Sequence, residues 1–182
     1  MKGKLMTKIS YESLIANIPD YPEPGVIFKD ITPLFADPDG LRALVRDLAD
    51  HFRASGVTKV VGPEARGFMT GTPVAYELGA GFVPARKPGK LPRETRSVSY
   101  DLEYGSDSLE IHADAIQPGD RVLIVDDLVA TGGTAAATGK LVQELGAELV
   151  GYACILELTF LHPRVTLATA GDHELYSLVK VD

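Results

Sequence analysis

Residues 122–134 read VLIVDDLVATGGT and run on into AAATGKLVQELG. Four branched or aliphatic residues in succession, after the turn Gln117-Pro118-Gly119-Asp120, mark a short strand buried on both faces, because the run is continuous and does not alternate. Residues 135–145 are good helix formers and stop at Gly146, which suits a C-terminal cap. The segment is therefore predicted as strand, tight loop and helix N-terminus. In a parallel sheet, ligands gather beyond the C-terminal ends of strands, and a helix N-terminus offers unpaired N–H groups to anions. Asp126 and Asp127 are expected at that mouth, at a solvent-facing strand end. Thr131, Gly132, Gly133 and Thr134 can wrap a phosphate with backbone donors and two hydroxyls. A polar loop in which one Asp caps the helix is the plainer reading. It uses one carboxylate and leaves the Gly-Gly pair idle.

The flanking chain alternates helix and strand. Residues 10–17 read as a short leading helix, and residues 20–30, DYPEPGVIFKD, as an ordered loop broken by Pro22, Pro24 and Gly25. An amphipathic helix enters through Asp37-Pro38, carries Leu41, Leu44, Val45, Leu48 and Phe52 on one face, and stops at Gly56. Residues 59–61 form a strand, GPEARG leads into a helix to about Gly79, and residues 82–85 are extended. Residues 85–97 hold Arg86, Lys87, Lys90, Arg93 and Arg96 among prolines and a glycine, so they form a mobile basic loop. Val98, Tyr100, Leu102 and Tyr104 then alternate with polar residues, Gly105-Ser106-Asp107 turns, and Leu109 and Ile111 alternate again, which predicts an antiparallel hairpin. A hairpin behind a cationic loop, near a phosphate cradle, suits a lid over an anionic substrate. Taken alone, the basic run reads as a solvated surface loop.

The fold class is therefore α/β: a central, mostly parallel sheet flanked by helices, with an antiparallel hood hairpin. With 182 residues and no repeat or linker, one domain over 1–182 is expected, its hood loop and hairpin at about 86–112. A net charge of −7 argues against a general nucleic-acid or anionic-membrane binder. No run approaches the ~20 apolar residues of a membrane span, and the lysines of the first residues have no apolar h-region behind them. A cytoplasmic location is expected, with the single Cys154 as inert core packing. His51, His112, His162 and His173 have no metal-ligand spacing.

VLIVDDLVATGGT resembles the thirteen-residue phosphoribosyl pyrophosphate (PRPP) motif of the type I phosphoribosyltransferases. DYPEPGVIFKDITPL, VVGPEARGF, GFVPARKPGKLPRETRSVSYDLEYG and LEIHADAIQPGDRVLIVDDLVATGGT together are similar to those members that act on adenine. The resemblance covers almost the whole chain, departing only before Ser10 and after Leu161. It implies a homodimer with a flexible hood, and a glycosyltransferase of purine salvage that joins adenine to PRPP to give AMP and pyrophosphate, with Mg²⁺ held mainly by PRPP, pyrophosphate and water and no dedicated protein site.

By the same resemblance, Ala130, Thr131, Gly132, Gly133 and Thr134 hold the 5′-phosphate, and Asp126 and Asp127 face the ribose hydroxyls, directly or through metal-bound water. Arg66, Arg86, Lys87 and Lys90 receive pyrophosphate, some across a dimer interface, and a cis peptide falls between Glu64 and Ala65. The backbone of Ile27 and Lys29 reads the amine edge of adenine, while Phe28 and Leu158 pack on the ring; without the resemblance, both apolar residues read as core. Glu103 corresponds to the hood glutamate proposed as general acid/base on the purine. Two other readings remain open: an enzyme for a 6-oxopurine, which presents an acceptor where adenine presents a donor, and a ligand-sensing regulator, which needs a DNA-binding module for which no length is expected before Ser10. A receiver-type signalling domain also pairs aspartates after a strand, but has no need of Thr-Gly-Gly-Thr.

Overall fold

The computed structural model describes residues 9–102 and 105–182, and the chain forms two compact units, one up to Leu44 and one over Val45–Asp182. In the first, a 3₁₀ turn at Tyr11–Leu14 leads to strand β1 (Ala16–Pro19), which pairs antiparallel with β2 (Ile27–Asp30). Neither the leading helix nor the 20–30 loop has its predicted extent. The breakers concentrate in the connection: Tyr21–Pro22 is cis, Gly25 has φ +88°, and its N–H donates to the Asp20 carboxylate at 2.8 Å. They close a hairpin and leave residues 27–30 free to pair. Lys29 Nζ reaches across that hairpin to Asn17 Oδ1 at 2.7 Å.

Helix α1 (Thr32–Ala36) precedes α2 (Pro38–Phe52). The α2 N-terminus is capped by Asp37, whose Oδ1 accepts from the N–H groups of Gly40 at 2.6 Å and Asp39 at 3.1 Å, with Pro38 in the first turn. Leu44, Leu48, Ala49 and Phe52 are buried along it, and the chain leaves through Gly56 at φ +65°. At the far end of α2, His51 stacks on Tyr176 at 3.8 Å between centroids and hydrogen-bonds Glu174 at 2.9 Å.

The second unit continues with β3 (Lys59–Pro63), α3 (Gly67–Leu78), β4 (Gly81–Ala85), β5 (Thr95–Leu102), β6 (Gly105–His112), β7 (Arg121–Val129), α4 (Gly133–Glu144), β8 (Glu148–Leu158), α5 (Pro163–Leu167) and β9 (Leu175–Val181). Five strands form one parallel sheet in the order β4-β3-β7-β8-β9, and β5 pairs with β6 as a separate antiparallel hairpin. This is the predicted α/β arrangement. Strand order reverses between β3 and β7, and the crevice at such a switch point is where open parallel sheets place ligands. Cys154 is buried in β8, and burial pushes its thiol well up. Among the described residues, no helix is long and apolar enough to cross a membrane.

Two boundaries differ from the sequence expectation, and both matter for the site. Strand β7 does not stop at Val125: the ladder continues through Asp126↔Cys154, Leu128↔Leu156 and Val129↔Glu157. Pairing is a property of the backbone, and the eleven-residue β8 offers partners beyond the apolar run. Asp126 and Asp127 therefore lie inside the sheet and not at a solvent-facing end. Gly105, Ser106 and Asp107 likewise belong to β6 and not to a turn, because the register places Leu102 opposite Gly105 and Tyr100 opposite Asp107. A bridge between Arg86 and Glu110, with backbone hydrogen bonds of 2.8 and 2.7 Å, ties the hairpin to the chain leaving β4.

Glu157 near the end of β8 is 1% exposed and accepts from Arg164 Nε at 2.7 Å, Arg164 Nη2 at 2.8 Å and Ser177 Oγ at 2.6 Å. Burial works to raise its carboxyl, but the bonds from Arg164 and Ser177 outweigh that, and it sits below the ordinary Glu range. Its contribution to stability is thus complete above the unfolded-state value and is lost as pH falls through the depressed folded-state value. Arg164→Met strands that carboxylate. A loss of about 3 kcal/mol is expected, at the low end for a broken buried pair because Arg164 is half exposed. Urea unfolding at pH 7 checks this, and wild-type stability in the variant refutes it.

Candidate active site

Strand β3 ends at Pro63, and Glu64–Ala65 follows as a cis peptide, where the resemblance places it. The next residue, Arg66, opens α3 and turns its guanidinium to β7, where Nε meets Asp127 Oδ2 at 2.9 Å. Asp127 is 4% exposed, whereas the Arg66 side chain is 52% exposed. Beside it, Asp126 Oδ1 accepts from the Asp127 N–H at 2.8 Å. Burial and the adjacent Asp127 push the Asp126 carboxyl well above the ordinary range. Burial also raises Asp127, against the pull of Arg66. Neighbouring carboxyls out of water disfavour carrying two charges together, and of the two it is Asp127 that has Arg66 as an ion-pair partner. Gly67 has a reason to be glycine here: a Cβ on it would meet Asp126 Oδ1 at 3.0 Å.

Beyond Val129 the chain turns through Ala130, Thr131 and Gly132 into α4, with Gly133 and Thr134 in its first turn, so the helix begins earlier than the sequence suggests. The first intrahelical bond runs from the Ala136 N–H to the Gly132 carbonyl, which leaves the N–H groups ahead of it for an anion. Residues 128–135 line a cavity of about 190 Å³. Gly132 is fixed by backbone demands: φ is +85°, and a Cβ would approach the Pro163 carbonyl oxygen to 2.8 Å. Thr131 is exposed at the rim, and the Thr134 hydroxyl donates to the Tyr100 hydroxyl on β5 at 3.3 Å.

The basic loop lies against carboxylates. Arg86 Nε bonds Glu64 Oε2 at 2.9 Å, Lys90 Nζ bonds Glu64 Oε1, and Lys87 Nζ bonds Asp107 Oδ2 at 2.9 Å. Lys87 and the Ser108 N–H hold Asp107 below the ordinary range, and Asp107 raises Lys87 in return. All four cations expected to meet pyrophosphate are thus paired with acids, and sequence reasoning gave a site role to only one of those acids, Asp127. Glu64 stands in GPEARG at 62–67, where an acidic residue beside the arginine was the available signal.

The phosphoribosyl transferase domain family matches residues 34–161. An adenine phosphoribosyltransferase of Yersinia pestis is 58% identical over 168 residues, 92% of this chain and 89% of that one. The chain belongs to the adenine phosphoribosyltransferase family. Among solved structures, the adenine phosphoribosyltransferase of Rhodothermus marinus superposes with a TM-score of 0.87 at 49% identity, covering 94% of this chain and 96% of its own. That of Saccharomyces cerevisiae, solved with adenine and an imino-altritol bisphosphate, gives 0.86 at 39% identity over 93% and 96%.

Among adenine phosphoribosyltransferase positions expected from sequence, the second unit brings Arg66 to Asp127 and sets Arg86, Lys87 and Lys90 on one loop. It also carries Leu158, the last residue of β8. Ile27, Phe28 and Lys29 lie on β2 of the first unit, where Phe28 packs edge-on against Tyr21 at 5.3 Å and Ile27 is 60% exposed. Glu103 falls outside the described residues.

Proposed function

We propose that this chain transfers the 5-phosphoribosyl group from PRPP to adenine, releasing AMP and pyrophosphate, as a purine-salvage enzyme. The observation that carries this reading is the Asp126–Asp127 pair with Arg66, set within β7 just ahead of the cradle at 130–134 that follows the same strand. A sugar that bears a phosphate at one end and pyrophosphate at the other needs that combination. Displacing pyrophosphate from C1 by purine N9 develops positive charge on the ribose and negative charge on the leaving group, so positioning and electrostatics supply the catalysis.

In this reading, Ala130, Thr131, Gly132, Gly133 and Thr134 fix the 5′-phosphate. Asp127, paired with Arg66, and Asp126 accept from the ribose hydroxyls and face the developing cation. Arg66, Arg86, Lys87 and Lys90 take up pyrophosphate, Arg by paired N–H donors and Lys as a point charge. Ile27, Phe28 and Lys29, together with Leu158, are assigned to adenine, and Glu103 to a proton on its imidazole ring. A homodimer in the cytoplasm is part of the proposal.

Magnesium fits this donor set in one form. Among the described residues, no group of three or more His, Cys, Asp or Glu side chains converges as a metal cage, and Asp127 is already committed to Arg66. Mg²⁺ keeps several waters and takes hard oxygens, so substrate oxygens would hold it, with Asp126 and Asp127 reached through water. When bound, it supplies charge neutralisation for the leaving pyrophosphate.

Adenine, hypoxanthine, guanine and xanthine, each assayed with PRPP and Mg²⁺, test the assignment. Adenine is expected to be the preferred acceptor, and preference for any 6-oxopurine overturns the reading. EDTA should abolish turnover and excess Mg²⁺ restore it. Full activity in the chelator removes the metal from the scheme.

A further inference from the structure

The basic loop carries Arg86, Lys87 and Lys90 within five residues, and three like charges so close repel one another. What holds two of them together is a residue with no role so far. Glu64 is 7% exposed, and its two oxygens are divided, Oε2 to Arg86 Nε at 2.9 Å and Oε1 to Lys90 Nζ. The Lys87 N–H also donates to it. Arg86 Nη1 closes the ring on the Lys90 carbonyl at 3.3 Å. From the other side, Glu110 exchanges backbone bonds with Arg86 and takes the Gly89 N–H on its carboxylate at 3.2 Å. The loop is therefore bracketed between the end of β3 and strand β6.

Each cation uses only part of its donor set on Glu64. Arg86 has five N–H groups and Lys90 three, so among the described residues Nη2 of Arg86 and two protons of Lys90 remain for a ligand. The Arg86 and Lys90 side chains are 35% and 48% exposed, against 7% for the carboxylate. The anion sits behind and the cations in front.

We infer that Glu64 is a positioning residue for pyrophosphate: it stays bonded to Arg86 and Lys90 while they bind the ligand, and presents them as one preassembled cationic pair. This rests on the proposed phosphoribosyl transfer, since it deepens the pyrophosphate half of that site. The contrary role, an internal anion that pyrophosphate must displace, has the opposite sign. Removing a displaced competitor tightens ligand binding; removing a brace weakens it.

Titration calorimetry with Mg²⁺–pyrophosphate and, separately, with AMP distinguishes these on wild type and Glu64→Gln. Glu64→Gln should bind pyrophosphate about tenfold more weakly, the effect of one poorly aligned charged hydrogen bond. AMP affinity should stay within about twofold, because the 5′-phosphate cradle is built on α4; a structural collapse would weaken both ligands. Pyrophosphate affinity that is unchanged or tighter in the variant overturns the inference. The wild-type protein gives a check that needs no variant: in a crystal of its pyrophosphate complex, Glu64 should still contact Arg86 and Lys90, and a Glu64 that has let go of both refutes it. Wild-type protein that binds neither pyrophosphate nor AMP refutes the proposed activity itself.

Discussion

Asp127→Asn should lower kcat by about 10²- to 10³-fold with the fold intact, the usual loss when one preorganised electrostatic group is removed from a desolvated site. Asparagine keeps the volume, but it carries no charge and only one oxygen to accept from Arg66 and the ribose. Asp126→Asn should lose less. Burial and its neighbour raise the Asp126 carboxyl, which has no ion pair with Arg66 to lose, whereas Asp127 does, so the neutral amide is the smaller change at position 126. The two variants, assayed with saturating PRPP and checked by circular dichroism, give an order as well as a magnitude. Wild-type turnover in Asp127→Asn, or a larger loss in Asp126→Asn, removes the charged role assigned to Asp127.

Glu103→Gln should reduce kcat by about 10²-fold while the PRPP dissociation constant stays unchanged. Glutamine keeps the size and one accepting oxygen of Glu103 but cannot exchange a proton at ordinary pH. Single-turnover rates on the preformed PRPP complex, together with PRPP titrations, separate chemistry from binding. If Glu103→Gln weakens PRPP binding and leaves the bound-state rate alone, Glu103 positions the ligand and handles no proton.

What the sequence revealed follows which interactions are local. The Asp37 cap and Pro38 announce α2, and alternation at Val98, Tyr100, Leu109 and Ile111 announces the β5–β6 hairpin, because each signal lies within a few residues of its effect. The apolar run 122–125 located β7 but not its end, since Asp126 and Asp127 extend the strand only through partners in β8, a distant segment. The same holds for Glu157, which reads as one polar letter in an apolar run until Arg164 and Ser177 close around it. Residues 27–30 were hidden by Pro22, Pro24 and Gly25, whose breaking power is spent on the connection between β1 and β2. Of the candidate site, the loop at 130–134 was legible as a strand-to-helix turn because strand, glycines and helix start are contiguous. The acids Glu64 and Asp107 were not, because their partners are read only after folding.

The switch point between β3 and β7 has a consequence for how this molecule comes into being. Its seam joins chain segments whose flanking residues, Thr58 and Arg121, are 63 positions apart, while β3 with β4 and β7 with β8 close over much shorter stretches. Distant closures cost more chain entropy and come slowly. The Arg66–Asp127 contact depends on that seam, so a chain with only the neighbouring strand pairings would lack the candidate site. Ligand then adds its full binding free energy to the finished state and none to its precursors. Protection from proteolysis by PRPP should accordingly rise in one step as the central seam forms, and the ligand should slow the opening of this chain far more than it speeds its folding.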